Sequence, residues 1–223
     1  VAYALKSRIC LFEGTFRKYH TELGLTDTAD KWLQEAANAS ETVMQESGLS
    51  IYTGAGEDAS FRSLFISNSP ITSEVMLASV ADEGLGVLGS ANWWWTSGTY
   101  GPRFSMIRSF INLFLMTDGT PFTDKPNHEK IEFYDECQNR DKRLAQTIRT
   151  PGYMRDGKPA APNFNGYSYT GYQPIKYTLD DSYYDAGALN TNAIPLFRYA
   201  EVLLNYAEAK AEMGTLTDTD WAN

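Results

Sequence analysis

Apolar residues recur at alternating steps of three and four from Ala2 through Leu5, Ile9, Phe12 and Phe16 to Tyr19, the period of one helical face. This predicts a long first helix with an aromatic C-terminal half. Gly24 breaks the pattern, and Asp27 or Thr28 stands where a second helix needs its cap. That helix, ADKWLQEAANASETVMQES, carries Trp32, Ala36, Ala39 and Val43 along one line and stops at Gly48. A bulky helix followed by an alanine-rich one predicts a tight antiparallel hairpin, the unit of tetratricopeptide-like stacks.

A third strong pattern is PLFRYAEVLLNYAEAKAEMG, from Pro195 to Gly214. Pro195 suits a first helical turn, where its missing N–H is not needed, and Gly214 suits a left-handed stop. Leu196, Tyr199, Leu203, Tyr206 and Met213 form one stripe, with Ala200, Leu204, Ala207 and Ala211 beside it. Arg198, Glu201, Asn205, Glu208 and Glu212 share the opposite face, where Arg198 and Glu201 are spaced to pair. So broad an apolar arc predicts a helix wedged between two neighbours. Thr219 to Asn223 then reads as the first turn of another helix.

Between residues 51 and 192 the pattern dissolves into Gly, Pro, Asn, Ser and aromatics. Glu74 to Val80 is a short strand candidate. One modest helix is predicted over about Ser105 to Thr117, with Ile107, Phe110 and Phe114 on one side and Asp118-Gly119 at its end. Irregular stretches this long tend to be functional. The prediction is a mainly α fold: a helical hairpin over 1–50, a long irregular aromatic-rich insertion over 51–192, and the start of a second hairpin over 193–223. Because it begins inside an amphipathic pattern and ends in an unfinished helix, the chain reads as a fragment of one longer domain.

Composition narrows the chemistry. The net charge of −9 opposes nucleic-acid backbone binding. No apolar run approaches the roughly 18–20 residues of a membrane span, and no signal peptide or lipidated N-terminal Cys is visible, so any anchor lies outside this chain. Cys10 and Cys137 make no metal spacing and read as ordinary thiols.

The candidate site is GSANWWWTSGTYGPR, where Trp93, Trp95 and Tyr100 offer rings for the apolar faces of sugars and Asn92 and Arg103 offer hydrogen bonds. Each stack is worth about 0.5–1.5 kcal/mol beyond burial, by analogy with aromatic pairs, so several are needed for micromolar affinity. If the segment is extended, Trp93 and Trp95 share a face and Trp94 does not; core packing competes with ligand contact for each ring. A second loop carries Tyr167, Tyr169, Tyr172 and Tyr177, for which a structural role is expected.

A glycosidase needs two facing carboxylates. Asp118, Asp124, Asp135, Glu136, Asp180, Asp181 and Asp185 are available, none in a catalytic context, and solvated carboxylates are the simpler account. His20 and His128 fit no zinc pattern. The loops at Asp118–Asp124 and Asp180–Asp185 supply oxygen ligands, so calcium stands as a candidate guest without EF-hand spacing; no other cofactor is expected. Arg140, Asp141 and Arg143 are candidates for fixing the junction of scaffold and loops.

FRYAEVLLNYAEAKAE followed by MGTLTDTDW closely resembles the C-terminal helical signature of the SusD/RagB family. MTDGTPFTD (Met116 to Asp124), NRDKRLAQTI (Asn139 to Ile148) and LKSRICLFEGTFRKYH (Leu5 to His20) are similar to that family in the same order. The resemblance implies a tetratricopeptide-like α-α superhelix, longer at both ends than this chain. It implies a cell-surface, lipid-anchored outer-membrane protein that binds glycan without catalysis and delivers it to a TonB-dependent, SusC-like transporter. It places ligand aromatics between the helical blocks without singling out a ring. An interaction module, a peptide-binding subunit and a glycan-degrading enzyme are the alternatives.

Overall fold

The computed structural model describes residues 1–96, 104–163 and 168–221. In chain order the helices and strands are α1 (Ala2–Tyr19), α2 (Ala29–Glu46), α3 (Ser60–Ile66), β1 (Val75–Ser79), α4 (Ala91–Thr96), α5 (Arg108–Ile111), α6 (Phe133–Glu136), β2 (Met154–Arg155), β3 (Lys158–Pro159), β4 (Ile194–Arg198), α7 (Tyr199–Glu212) and α8 (Asp218–Trp221). Short 3-10 turns join several of them. The fold is mainly helical, with two two-stranded sheets, β1 with β4 and β2 antiparallel to β3.

The chain forms two compact units. The first holds residues Val1–Tyr52, Ile71–Ala78 and Pro195–Asn223; the second holds Thr53–Pro70 and Ser79–Ile194.

In the first unit α2 packs against both α1 and α7. Arg8 bonds Glu201 near the start of α7 and Lys18 bonds Glu212 at its end, so α1 and α7 run parallel. The faces that meet differ from the expected ones. On α1 the buried line is Ala4, Ser7, Cys10, Leu11 and Gly14, while Leu5, Ile9, Phe12 and Tyr19 are exposed. On α7 it is Val202, Asn205 and Ala209, between the Tyr199–Met213 stripe and the face predicted to be polar. Asn205, expected on the polar face, donates to the buried Ser7 hydroxyl at 3.0 Å.

Small residues win these faces because they let backbones approach. A Cβ on Gly14 would lie 2.7 Å from Leu33 Cδ2 and 3.0 Å from its backbone nitrogen. We therefore expect Gly14→Val to destabilise the protein by about 1–3 kcal/mol, read as a lower urea midpoint at unchanged slope. An unchanged midpoint would show that α1 and α2 separate without cost.

Several ends depart from expectation. Thr28 occupies the N-cap of α2 but makes no capping bond to it. Pro195 lies in β4, and α7 starts only at Tyr199, because Phe197 is buried and Arg198 reaches across to Glu74 at 2.6 Å. Arg198 thus pairs with Glu74 and Glu201 with Arg8, not with each other. The C-terminal stop holds as predicted: Gly214 has φ +68°, Gly214 N donates to Ala211 O, and Thr215 N to Lys210 O, a Schellman closure.

In the second unit the helix expected over Ser105 to Thr117 shrinks to α5. Met116 instead forms an antiparallel bridge with Arg140. The core here is Ile111, Leu144, Ile148 and Tyr172. Arg140 is buried at its edge, bonded to the carbonyls of Ile111, Phe114 and Glu136, while Asp141 takes its bonds from Arg143. Both cysteines are free thiols, and burial pushes Cys137 up to about 12.

Candidate functional site

The tryptophan segment is helical rather than extended. Trp94 N donates to Ser90 O at 3.0 Å, and the resulting turn of α4 fans its three indoles about 100° apart. Trp93 and Trp95 therefore do not share a face. Both are half-buried, whereas Trp94 is 45% exposed. Trp93 meets Trp94 edge-on at 4.8 Å. Trp95 packs edge-on against Tyr177 at 5.5 Å and near Phe104 at 6.1 Å. Ser90, one residue before the turn, was the sequence signal for it; the flanking glycines masked that signal.

Asn92 does not face solvent. It is fully buried, and its side chain is committed at both ends: Nδ2 donates to Leu179 O and Asp185 Oδ1, and Oδ1 accepts from Leu179 N and Asn190 Nδ2. Its role is to hold α4, so the expected hydrogen bond to a ligand is corrected to a structural one. Tyr100 and Arg103 lie outside the described residues, as does Tyr167.

Asp185 fixes the same turn. Its Oδ1 accepts from Thr96 Oγ1 at 2.6 Å, Asn92 Nδ2 at 3.1 Å and Arg155 Nη2 at 2.5 Å. The 3-10 turn that carries Asp185, Ser182–Asp185, packs against α4 and presents Tyr183, which is 64% exposed. Among the described residues here Trp94, Phe104 and Tyr183 are exposed aromatics, and sequence reasoning singled out none of them as a contact. Of the other tyrosines, Tyr172 is buried and donates to Glu136 at 2.8 Å, Tyr177 is half-buried, and Tyr169 is exposed.

A cavity of about 510 Å³ opens elsewhere in this unit, with Arg62, Gln146, Thr150, Tyr153 and Asp180 on its walls. Arg62 grips Asp180 with two nitrogens, at 2.6 and 2.8 Å, and Tyr153 donates its hydroxyl to the same carboxylate. Burial, with Asp180 adding to it, pushes the Tyr153 hydroxyl up to about 12.

The carboxylates considered for catalysis are not uniformly solvated. Asp124 and Asp135 are exposed, but Glu136 is buried and Asp180 and Asp185 are held by arginines. Asp181 accepts from Tyr183 N, capping its turn. Asp118 accepts from the Thr120 hydroxyl and backbone N–H, which keep it below the usual carboxylate range. Among the described residues no three His, Cys, Asp or Glu gather as metal ligands.

Residues 78–223, more than half of the chain and including all of α4 and the arginine-lined cavity's Tyr153 and Asp180, match the SusD family. No curated protein and no solved structure matches the chain.

Proposed function

The chain belongs to the SusD family, whose members are nutrient-binding proteins of uptake systems rather than enzymes, and we propose that it captures a glycan by aromatic stacking. Delivery would be to a TonB-dependent, SusC-like transporter, with the protein held at the outer face of the outer membrane by a lipid anchor. No helix of the described residues is long and apolar enough to cross a membrane.

One observation carries the reading: the family match runs through α4, which lifts Trp94 to the surface on a turn pinned by Asn92 and Asp185. A ring held this way loses little freedom on stacking against a sugar, and preorganisation of that kind raises affinity. Trp94 is the proposed primary contact, with Trp93 flanking it.

The test is a tryptophan-fluorescence titration of the full chain and of Trp94→Ala against a panel of neutral and acidic polysaccharides. One polymer should give saturable quenching or a blue shift, with affinity about tenfold weaker in the variant, the upper end of one stack. Equal affinity in both proteins would remove Trp94 from the site. Silence from every polymer would sink the glycan reading.

A second reading has its own observation. Leu5, Ile9, Phe12 and Tyr19 form an exposed apolar line along α1, the kind of surface that marks a protein contact. In that reading the helical unit serves mainly to dock the transporter.

A further inference from the structure

The bulky line on α1 has the spacing of a coiled-coil seam. Ala2, Leu5, Ile9, Phe12, Phe16 and Tyr19 follow steps of 3, 4, 3, 4 and 3, a strict heptad pattern along the whole helix. None of these side chains is buried; Ile9 is 53% exposed and Phe12 67%. The line lies opposite the buried face of Ala4, Ser7, Leu11 and Gly14, so α2 and α7 leave it uncovered. A seam of this period fits a helix laid alongside it, because each knob needs a hole between side chains of a facing helix.

The seam matches itself when it runs antiparallel. With Ile9 set against the partner's Phe12, Leu5 falls opposite the partner's Phe16 and Ala2 opposite the partner's Tyr19. Every layer then joins an aliphatic side chain to an aromatic one, and each occurs twice about a two-fold axis. A parallel pair would instead set Ala2 against Ala2 and ring against ring, leaving a gap at one end and crowding at the other.

Charge agrees with the antiparallel register. Lys6 and Glu13 flank the same edge of the seam, one heptad apart, so Lys6 of each copy comes beside the partner's Glu13. Lys6 already pairs with Glu35 at 2.5 Å and Glu13 with Arg17 at 2.7 Å. The added contacts therefore extend existing exposed pairs and set orientation more than strength. On the other edge Arg8 is committed to Glu201 through two nitrogens and comes beside the partner's uncharged Thr15.

We propose that α1 is a dimer interface, packed antiparallel on α1 of a second copy of this chain with Ile9 and Phe12 at its centre. This gives to a second copy the line that the docking reading gives to a transporter. Trp94 belongs to the other compact unit, and glycan capture there does not depend on this contact.

Sedimentation equilibrium of the full chain from about 1 µM to about 1 mM tests the proposal. The wild type should pass from a 25.0 kDa monomer toward a dimer across that range. Phe12→Glu should weaken association at least tenfold, yet melt as wild type at the dilute end, because Phe12 is exposed. Lys6→Glu should weaken association too, by setting like charges beside each other twice, and adding Glu13→Lys should restore it. A wild type that stays monomeric at the top of the range would overturn the proposal and leave the seam to a helix of another protein. Association untouched by Phe12→Glu would place the interface elsewhere and overturn it as well. A charge swap no better than Lys6→Glu alone would overturn the antiparallel register, since a parallel pair would bring Lys at position 13 against Arg8. The charge swap decides the matter if Phe12→Glu fails to fold.

Discussion

Asp185→Ala should cost roughly 3 kcal/mol of stability and remove saturable glycan binding together. The carboxylate is three-quarters buried and satisfies three donors on two segments, Thr96 and Asn92 of α4 and Arg155 of β2. Its removal leaves Arg155 with a largely buried, unpaired guanidinium and frees the α4 turn that aims Trp94. Breaking one side of a buried ion pair typically costs about 3–5 kcal/mol, and partial exposure here argues for the lower end. Asp185→Asn should fall between the two, since an amide oxygen still accepts from Thr96 and Asn92 but carries no charge for Arg155. Urea melts give the stability change, and fluorescence titration gives the binding. Should Asp185→Ala bind glycan as wild type while losing stability, α4 is held by its packing and Trp95 against Tyr177 is the anchor. A variant with unchanged stability would mean that the Arg155 pair contributes nothing.

This keystone shows where the sequence stops being legible. Asp185 and Asn92 are 93 residues apart, and no local pattern joins them. The helices α1, α2 and α7, the short strand β1 and the Gly214 stop were readable because their signals are local: a 3.6-residue period, a stop glycine, a short β-favouring run. What periodicity does not say is which face is covered. On α1 the bulky stripe Leu5, Ile9, Phe12 is exposed, and the face with Ala4, Ser7 and Gly14 is buried, because helix approach distance was decided by Leu33 on the partner. The same non-local rule shortened α5, where Met116 leaves the helix to bridge Arg140, and moved Pro195 from helix to strand through β1.

At the candidate site the aromatic composition was readable and the geometry was not. Reading the tryptophans as extended paired Trp93 with Trp95 and set Trp94 apart. One turn of helix half-buries those two and exposes Trp94 instead. Asn92 looked like a hydrogen-bond donor for sugar only because its true partners, Leu179, Asp185 and Asn190, are distant in sequence.

Arg140→Ala should be the most destabilising single change in the second unit, by about 3–5 kcal/mol. Arg140 is 4% exposed, and its guanidinium donates to the carbonyls of Ile111, Phe114 and Glu136 at 2.8–3.3 Å. It also lies 4.1 Å from the ring centroid of the fully buried Phe122. These bonds close the ends of α5 and α6, whose last carbonyls have no helical partner. The cation also faces Glu136, which is 1% exposed and has Arg108 only at 3.8 Å. Burial lowers the Arg140 pKa while Glu136 opposes that shift, so the two charges depend on each other. Alanine would leave the carbonyls of Phe114 and Glu136 without their Arg140 donors, a void against Phe122, and a buried carboxylate with Arg108, at 3.8 Å, as its remaining cation. The double variant Arg140→Met with Glu136→Gln should therefore lose less than the sum of its single changes, a coupling that urea denaturation of the four proteins measures. Strict additivity would show that the carbonyls alone explain Arg140 and that Glu136 is carried by Tyr172 and Arg108.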